Sequence, residues 1–125
     1  MKNTECIIAS NGESVLHVAT KIGDVDIVKR LLALDLVSHL VDHVDGANGR
    51  APLHLAAKLN HVEIAKELLL NGAKLDREDT TGKTPIFMAA SRGFSSMLEA
   101  FLMHGKDQVV TIIDIKFLLY MLLDW

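Results

Sequence analysis

The stretch APLHLAA, residues 51–57, sets a histidine in the middle of a small, apolar run. The chain spells nearly the same thing twice more, as SVLHVAT at 14–20 and TPIFMAA at 84–90. A catalytic histidine is needed once, whereas one that recurs with its surroundings points to construction. The distance between the copies sets the organisation of the chain.

Aligned on Gly12, Gly49 and Gly82, the copies lie 37 and then 33 residues apart. A second landmark moves with the first: Ile27, Ile64 and Met97 open the same apolar pattern at the same two intervals. One unit is therefore repeated three times, with four extra residues in its first copy. A period near ~33 residues is the signature of units that stack because none can bury its apolar face alone.

Each unit reads as two short helices and a turn. The first helix opens at Ser14, Ala51 or Thr84. Serine and threonine there accept hydrogen bonds from free N–H groups of the first turn, worth ~1 kcal/mol each. Pro52 and Pro85 follow at the first helical position, where a missing N–H costs nothing. Ala51 has no side-chain acceptor, so the middle copy is expected to begin less firmly. Leu16 and Ala19, Leu53 and Ala56, and Ile86 and Ala89 form the buried stripe of the first helices.

The second helices are expected to bury Ile27, Val28, Leu31 and Leu32, then Ile64, Ala65, Leu68 and Leu69, then Met97, Leu98, Phe101 and Leu102. Each such leucine, once buried, contributes ~1.5–3 kcal/mol. Gly23, Asn60 and Gly93 suit the turn between helices, and Gly72 and Gly105 suit the end of the second helix. In the first copy the apolar spacing runs on through Leu36, Leu40 and Val44, which predicts that its second helix continues into the insertion.

The totals fit one small domain. The chain has 125 residues, 50% of them hydrophobic, and a net charge of −3, which does not suggest a nucleic-acid binder. A single cysteine, Cys6, excludes an internal disulfide framework and a four-cysteine zinc site. The opening MKNTECIIAS lacks the pattern of a secretory signal, and the longest apolar run, FLLYMLL at 117–123, is far short of a membrane span. A cytoplasmic setting is expected, with the nucleus also open.

GRAPLHLAAKLNHVEIAKELLLNGA, residues 49–73, closely resembles the ankyrin repeat along its whole length. GKTPIFMAASRGFSSMLEAFLMHG at 82–105 matches with Phe87 in place of histidine, and GESVLHVATKIGDVDIVKRLL at 12–32 matches with Val15 in place of proline. The resemblance implies an all-α solenoid of stacked helix-turn-helix units with short hairpin-like fingers. It divides the chain into a lead-in at 1–10, repeats at about 11–47, 48–80 and 81–105, and an atypical tail at 106–125. It implies that His17 and His54 hold the turn beside the first helix, structural positions like Pro52, Thr84 and Pro85.

It also implies a non-catalytic binding module, an adaptor, scaffold or inhibitor, whose protein partner lies on the concave face. By position that face takes Lys21, Arg50, Lys58, Leu59, Arg77, Glu78, Lys83 and Arg92, with Glu13 and Ile22 beside them. Cations outnumber acids there, which points to an acidic partner segment. The alternative is a cytosolic ankyrin segment of a larger protein, such as a membrane-bound channel.

Competing chemistry is thin. His39 and His43 lie one helical turn apart with Asp42 beside them, a spacing that suits a metal, but no third ligand is evident and the HExxH order is absent. No GxSxG elbow or phosphate-binding glycine loop occurs. No cofactor, small-molecule substrate or catalytic residue is expected. The tail KDQVVTIIDIKFLLYMLLDW is apolar almost all round, unlike the polar outer face of an ordinary end repeat. Three readings fit it: an irregular cap on the third copy, a docking segment, or the end of a truncated array.

Overall fold

The computed structural model describes residues 8–104, so the apolar tail lies outside the described residues. Seven helices succeed one another there: α1 Val15–Ile22, α2 Val25–Leu32, α3 Asp35–Ser38, α4 Pro52–Leu59, α5 Val62–Leu70, α6 Pro85–Ser91 and α7 Ser95–His104. α1 pairs with α2, α4 with α5 and α6 with α7. The pairs stack in chain order, with α1, α4 and α6 in one layer and α2, α5 and α7 in the other. The chain is thus an all-α solenoid of helix-turn-helix units.

Local chemistry sets the helix starts. Ser14 Oγ accepts from the N–H groups of Leu16 and His17, and Asp24 Oδ1 from those of Asp26 and Ile27. Thr84 Oγ1 accepts from the Phe87 N–H at 3.1 Å. Ala51 makes no side-chain cap, and the His54 ring instead accepts the Ala51 N–H. The turns inside each pair take a left-handed residue, Gly23, Asn60 or Gly93.

The core is one continuous cluster running through all three units. Leu16, Leu53 and Ile86 sit at its centre, and the alanines Ala56, Ala57, Ala89 and Ala90 are wholly covered, which lets neighbouring first helices approach closely. Two expected burials fail for a shared reason. Ile27 is 40% exposed and Leu102 is 45% exposed, although their counterparts in the middle unit are buried; Leu31 is only half-buried. These residues stand at the two ends of the described stack, where the described residues supply a helix pair on one side only.

The insertion also departs from expectation. The α2 helix stops at Leu32 instead of running on, because Leu34 turns to an extended conformation (φ −89°, ψ 127°) before α3 begins. The change of direction buries Val37 and Val41 and leaves Leu36 and Val44 exposed. Of the apolar spacing seen in the sequence, Leu36 and Val44 thus lie on the outer side of the insertion, while Leu40 is half-buried against the core.

Before each first helix the chain forms a tight finger. Its closing bonds run from the Ala9 N–H to Glu13 O (2.7 Å), the Asp45 N–H to Arg50 O (3.0 Å) and the Asp79 N–H to Lys83 O (2.9 Å). The middle finger is therefore one residue longer. Fingers also bond to each other: Asn11 O accepts from the Gly46 N–H and Asn48 O from the Thr80 N–H. Gly12 and Gly49 make that approach possible. Both have positive φ, and a Cβ on Gly12 would stand 2.5 Å from Gly46 N.

Replacing Leu53, the fully buried centre of the middle unit, by alanine should lower unfolding stability by ~2–5 kcal/mol, whereas Leu59→Ala on the exposed end of α4 should cost under ~1 kcal/mol. Urea denaturation of the two variants measures the difference, and equal losses would contradict the packing described.

Candidate protein-binding face

The two motif histidines are built alike. In the first unit, Nδ1 of His17 accepts the Ser14 N–H at 3.0 Å, and Nε2 lies 2.7 Å from Arg50 O in the next finger. In the second, Nδ1 of His54 accepts the Ala51 N–H at 3.1 Å, and Nε2 lies 3.0 Å from Lys83 O. A ring nitrogen that accepts an N–H carries no proton, so each neutral ring must bear its proton on Nε2 and donate it across to the following unit. Both rings are completely buried. Each therefore fixes a helix start with one nitrogen and the next finger with the other. The flanking Pro52, Thr84 and Pro85 occupy the first turns of α4 and α6 and their caps.

Burial lowers the pKa of His17 and of His54 from the ordinary 6.5, although the backbone carbonyls of Arg50 and Lys83 pull the other way. Sequence spacing did not reveal a companion to His17. His43, from the insertion, sets its ring edge-on to that of His17, 6.1 Å away, and its Nε2 lies 2.9 Å from Gly12 O.

Two aspartates shape the fingers. Asp45 Oδ1 accepts from the Asn48 N–H at 2.8 Å. Asp79 Oδ1 accepts from the N–H groups of Thr81 and Lys83 and from the Thr81 hydroxyl. Its Oδ2 takes the Arg50 Nε–H at 3.4 Å. Burial opposes the charge on Asp79, but these donors outweigh it and hold the carboxyl far below the usual carboxylate range. Asp45 is lowered in the same sense, burial again opposing and backbone N–H groups prevailing.

The residues expected to meet a partner divide into two sets. Lys21 and Lys58 occupy equivalent positions near the ends of α1 and α4, and Ile22, Leu59 and Arg92 occupy the next positions along. Ile22 and Leu59 are exposed, as are Lys21 and Arg92, while Lys58 is half-buried. Lys21 is paired with Glu13, whose carboxyl is held below its ordinary range chiefly by that bond. Among the described residues, Lys58 and Arg92 have no ion-pair partner.

The other set is engaged in construction. Arg50 is only 19% exposed at its side chain, clamped on Asp79 and contributing its carbonyl to His17; it is not the open cation that its position suggested. Arg77 donates to Asp42 O at 3.3 Å. Lys83 places its ammonium 5.9 Å from the centre of the Phe87 ring. Glu78 is exposed on the last finger.

The His39, Asp42 and His43 group is drawn apart by other duties. Asp42 Oδ1 accepts the Lys74 N–H at 3.0 Å, and His43 faces Gly12 O. Among the described residues no three histidine, cysteine, aspartate or glutamate side chains gather as a metal site would require.

Stacked helix pairs, capped fingers and a histidine linking each level to the next define a class of non-catalytic repeat modules that mediate protein–protein interactions. A family model described as ankyrin repeats (3 copies) matches residues 1–79, more than half of the chain, and the chain belongs to the ankyrin repeat family. The match ends at Asp79, and the structure stacks one further helix pair, α6 and α7, beyond it. No curated protein compared with the chain matches it. Among the described residues no helix is long and apolar enough to cross a membrane.

The lowered histidine pKa values fix a direction for acid sensitivity. The unfolded chain binds more protons than the folded one below pH 6.5, so stability is whole above that value and falls as the pH drops through it towards the folded pKa values. The urea midpoint should therefore be lower at pH 5.5 than at pH 7.5. His54→Gln should cost ~1–3 kcal/mol at pH 7.5 and show a shallower pH dependence; an undiminished dependence would overturn the assignment. Asp79→Asn should cost a further ~1–3 kcal/mol at neutral pH, read by the same titration.

Proposed function

We propose that the chain binds a protein segment along the concave face formed by its fingers and the exposed ends of its first helices, and that this segment combines apolar with acidic side chains. The observation that carries the reading is the row at the ends of α1, α4 and α6. Ile22 is 65% exposed and Leu59 is 43% exposed at equivalent positions of adjacent helices whose opposite sides are buried. Large aliphatic side chains aligned in the open are the usual anchors of a binding face.

Charge gives the row a direction. Lys21 is matched by Glu13, while Lys58 and Arg92 carry positive charge without an ion-pair partner among the described residues. Apolar surface is thus concentrated towards the first unit and uncompensated positive charge towards the third. A segment lying across the stack fits best with apolar side chains over Ile22 and Leu59 and acidic ones near Lys58 and Arg92. The charges would steer the encounter and fix its orientation more than set its affinity. Arg50 plays no part in this, being held by Asp79.

The activity proposed is that of an adaptor, scaffold or inhibitor in the cytoplasm or nucleus, for which the single cysteine supports a reducing setting. The same face would serve if the chain were a segment of a larger protein.

Selection from a random peptide library displayed against the protein tests the reading. Enriched peptides should pair aliphatic residues with aspartate or glutamate, bind less tightly as salt rises, and weaken several-fold against a Lys58→Glu/Arg92→Glu variant that keeps its urea midpoint. Peptides without acidic enrichment, or binding indifferent to the charge reversal, would overturn it.

A further inference from the structure

The concave face offers nearly the same foothold twice. Lys21–Ile22 at the end of α1 and Lys58–Leu59 at the end of α4 are each a lysine followed by an exposed aliphatic side chain, at equivalent positions of adjacent units. In the third unit Ser91–Arg92 breaks the pattern. A short segment with one acidic and one aliphatic side chain could therefore seat itself at either of the first two levels, one unit apart. Repetition gives the stack its shape and, on its own, leaves a ligand without a fixed register.

One finger position separates the two levels. Glu13, Arg50 and Lys83 are equivalent by the spacing of the units, an acid in the first and bases in the other two. The acid lies beside its own helix end: Glu13 takes the ammonium of Lys21, and its side chain is 16% exposed against 47% for the lysine. That ammonium is the chief reason why the Glu13 carboxyl is held below its ordinary range, so it is ionised at neutral pH. In the second unit the Arg50 guanidinium turns to Asp79 of the next finger, and Lys58 has no ion-pair partner among the described residues. A ligand carboxylate that approaches Lys21 meets a negative charge already seated there, whereas Lys58 holds no acid to displace.

Resting on the concave-face reading above, we infer that Glu13 is a specificity-determining residue: it closes the first level to acidic side chains while leaving Ile22 open to apolar ones, and so fixes the register of the bound segment. A charge placed this way discriminates by raising the free energy of the wrong complex, without improving the right one. The partner implied carries its acidic residues on one side of its aliphatic ones only. Its apolar side lies over α1, and the shifted complex with an acid over Lys21 is rejected.

Parallel selections from one random peptide library against the unaltered chain, Glu13→Gln and Glu13→Asp test the inference. Peptides from the unaltered chain and from Glu13→Asp, which keeps the charge, should carry acidic residues on one side of their aliphatic pair. Those from Glu13→Gln should carry them on both sides. A synthetic peptide of the two-sided pattern, followed by fluorescence anisotropy, should bind Glu13→Gln about three- to fivefold more tightly than the unaltered chain, a difference that shrinks as salt rises. The urea midpoint of Glu13→Gln should stay unchanged; a lowered midpoint with every peptide weakened alike would make Glu13 structural and overturn the inference. The same one-sided pattern from all three proteins would overturn the role of Glu13 and leave the concave-face reading standing. Peptides without acidic residues from the unaltered chain would overturn that reading and this inference with it.

Discussion

Each motif histidine performs two acts of satisfaction with one ring. A helix start leaves backbone N–H groups without partners, and a finger that folds back leaves a carbonyl facing the dry seam between units. The neutral imidazole has one acceptor and one donor on opposite edges, so it can close both at once. Ser14 and Ala51 give their N–H groups to Nδ1; Arg50 and Lys83 receive the proton of Nε2. The reach of that ring sets the spacing of the levels and the seating of each finger. Leucine could fill the same space, but it would leave the Ser14 or Ala51 N–H without its acceptor, at ~1–3 kcal/mol, and the finger carbonyl with only its bond from the Asp45 or Asp79 N–H.

Around those rings the polar chemistry is directed inward. Asp79 gathers the Thr81 and Lys83 donors and the Arg50 side chain, and Asp45 does the same for its own finger with backbone groups alone. The fingers are thereby cross-braced by hydrogen bonds, and for the binding proposed above such bracing would lower the ordering cost. What remains outward at the ends of the first helices is simple: two aliphatic side chains and a few cations.

Much of this architecture was legible in the sequence, for definable reasons. The glycine spacing, the Pro52 and Pro85 starts and the alternation of alanine with leucine are local signals, and local signals survive without knowledge of neighbours. Arg50 shows where local reading ends. Its position in the repeat is an exposed one, and only the approach of Asp79, 29 residues on in the chain, converts it into a structural clamp. Ile27 and Leu102 carry the same apolar pattern as their buried counterparts, yet exposure depends on whether a unit lies beyond them. The insertion misled differently. Leu36, Leu40 and Val44 have helical spacing, but Val37 and Val41 share it too, and after the break at Leu34 the latter two turn inward with Leu40 beside them while Leu36 and Val44 stay exposed.

The insertion also does something that no regular repeat can. It sends His43 back to Gly12 in the first finger and Asp42 forward to Lys74 and Arg77 ahead of the last. Neighbour-to-neighbour contacts would allow the units of such an array to be cut, copied or reordered like links of a chain. Here two side chains in a single loop tie the first unit's finger to its own insertion and that insertion to the end of the second unit, so the first two units are strapped together. The adjacency of the first two units is written into that strap: a version that parted them would keep every helix and lose the fastening.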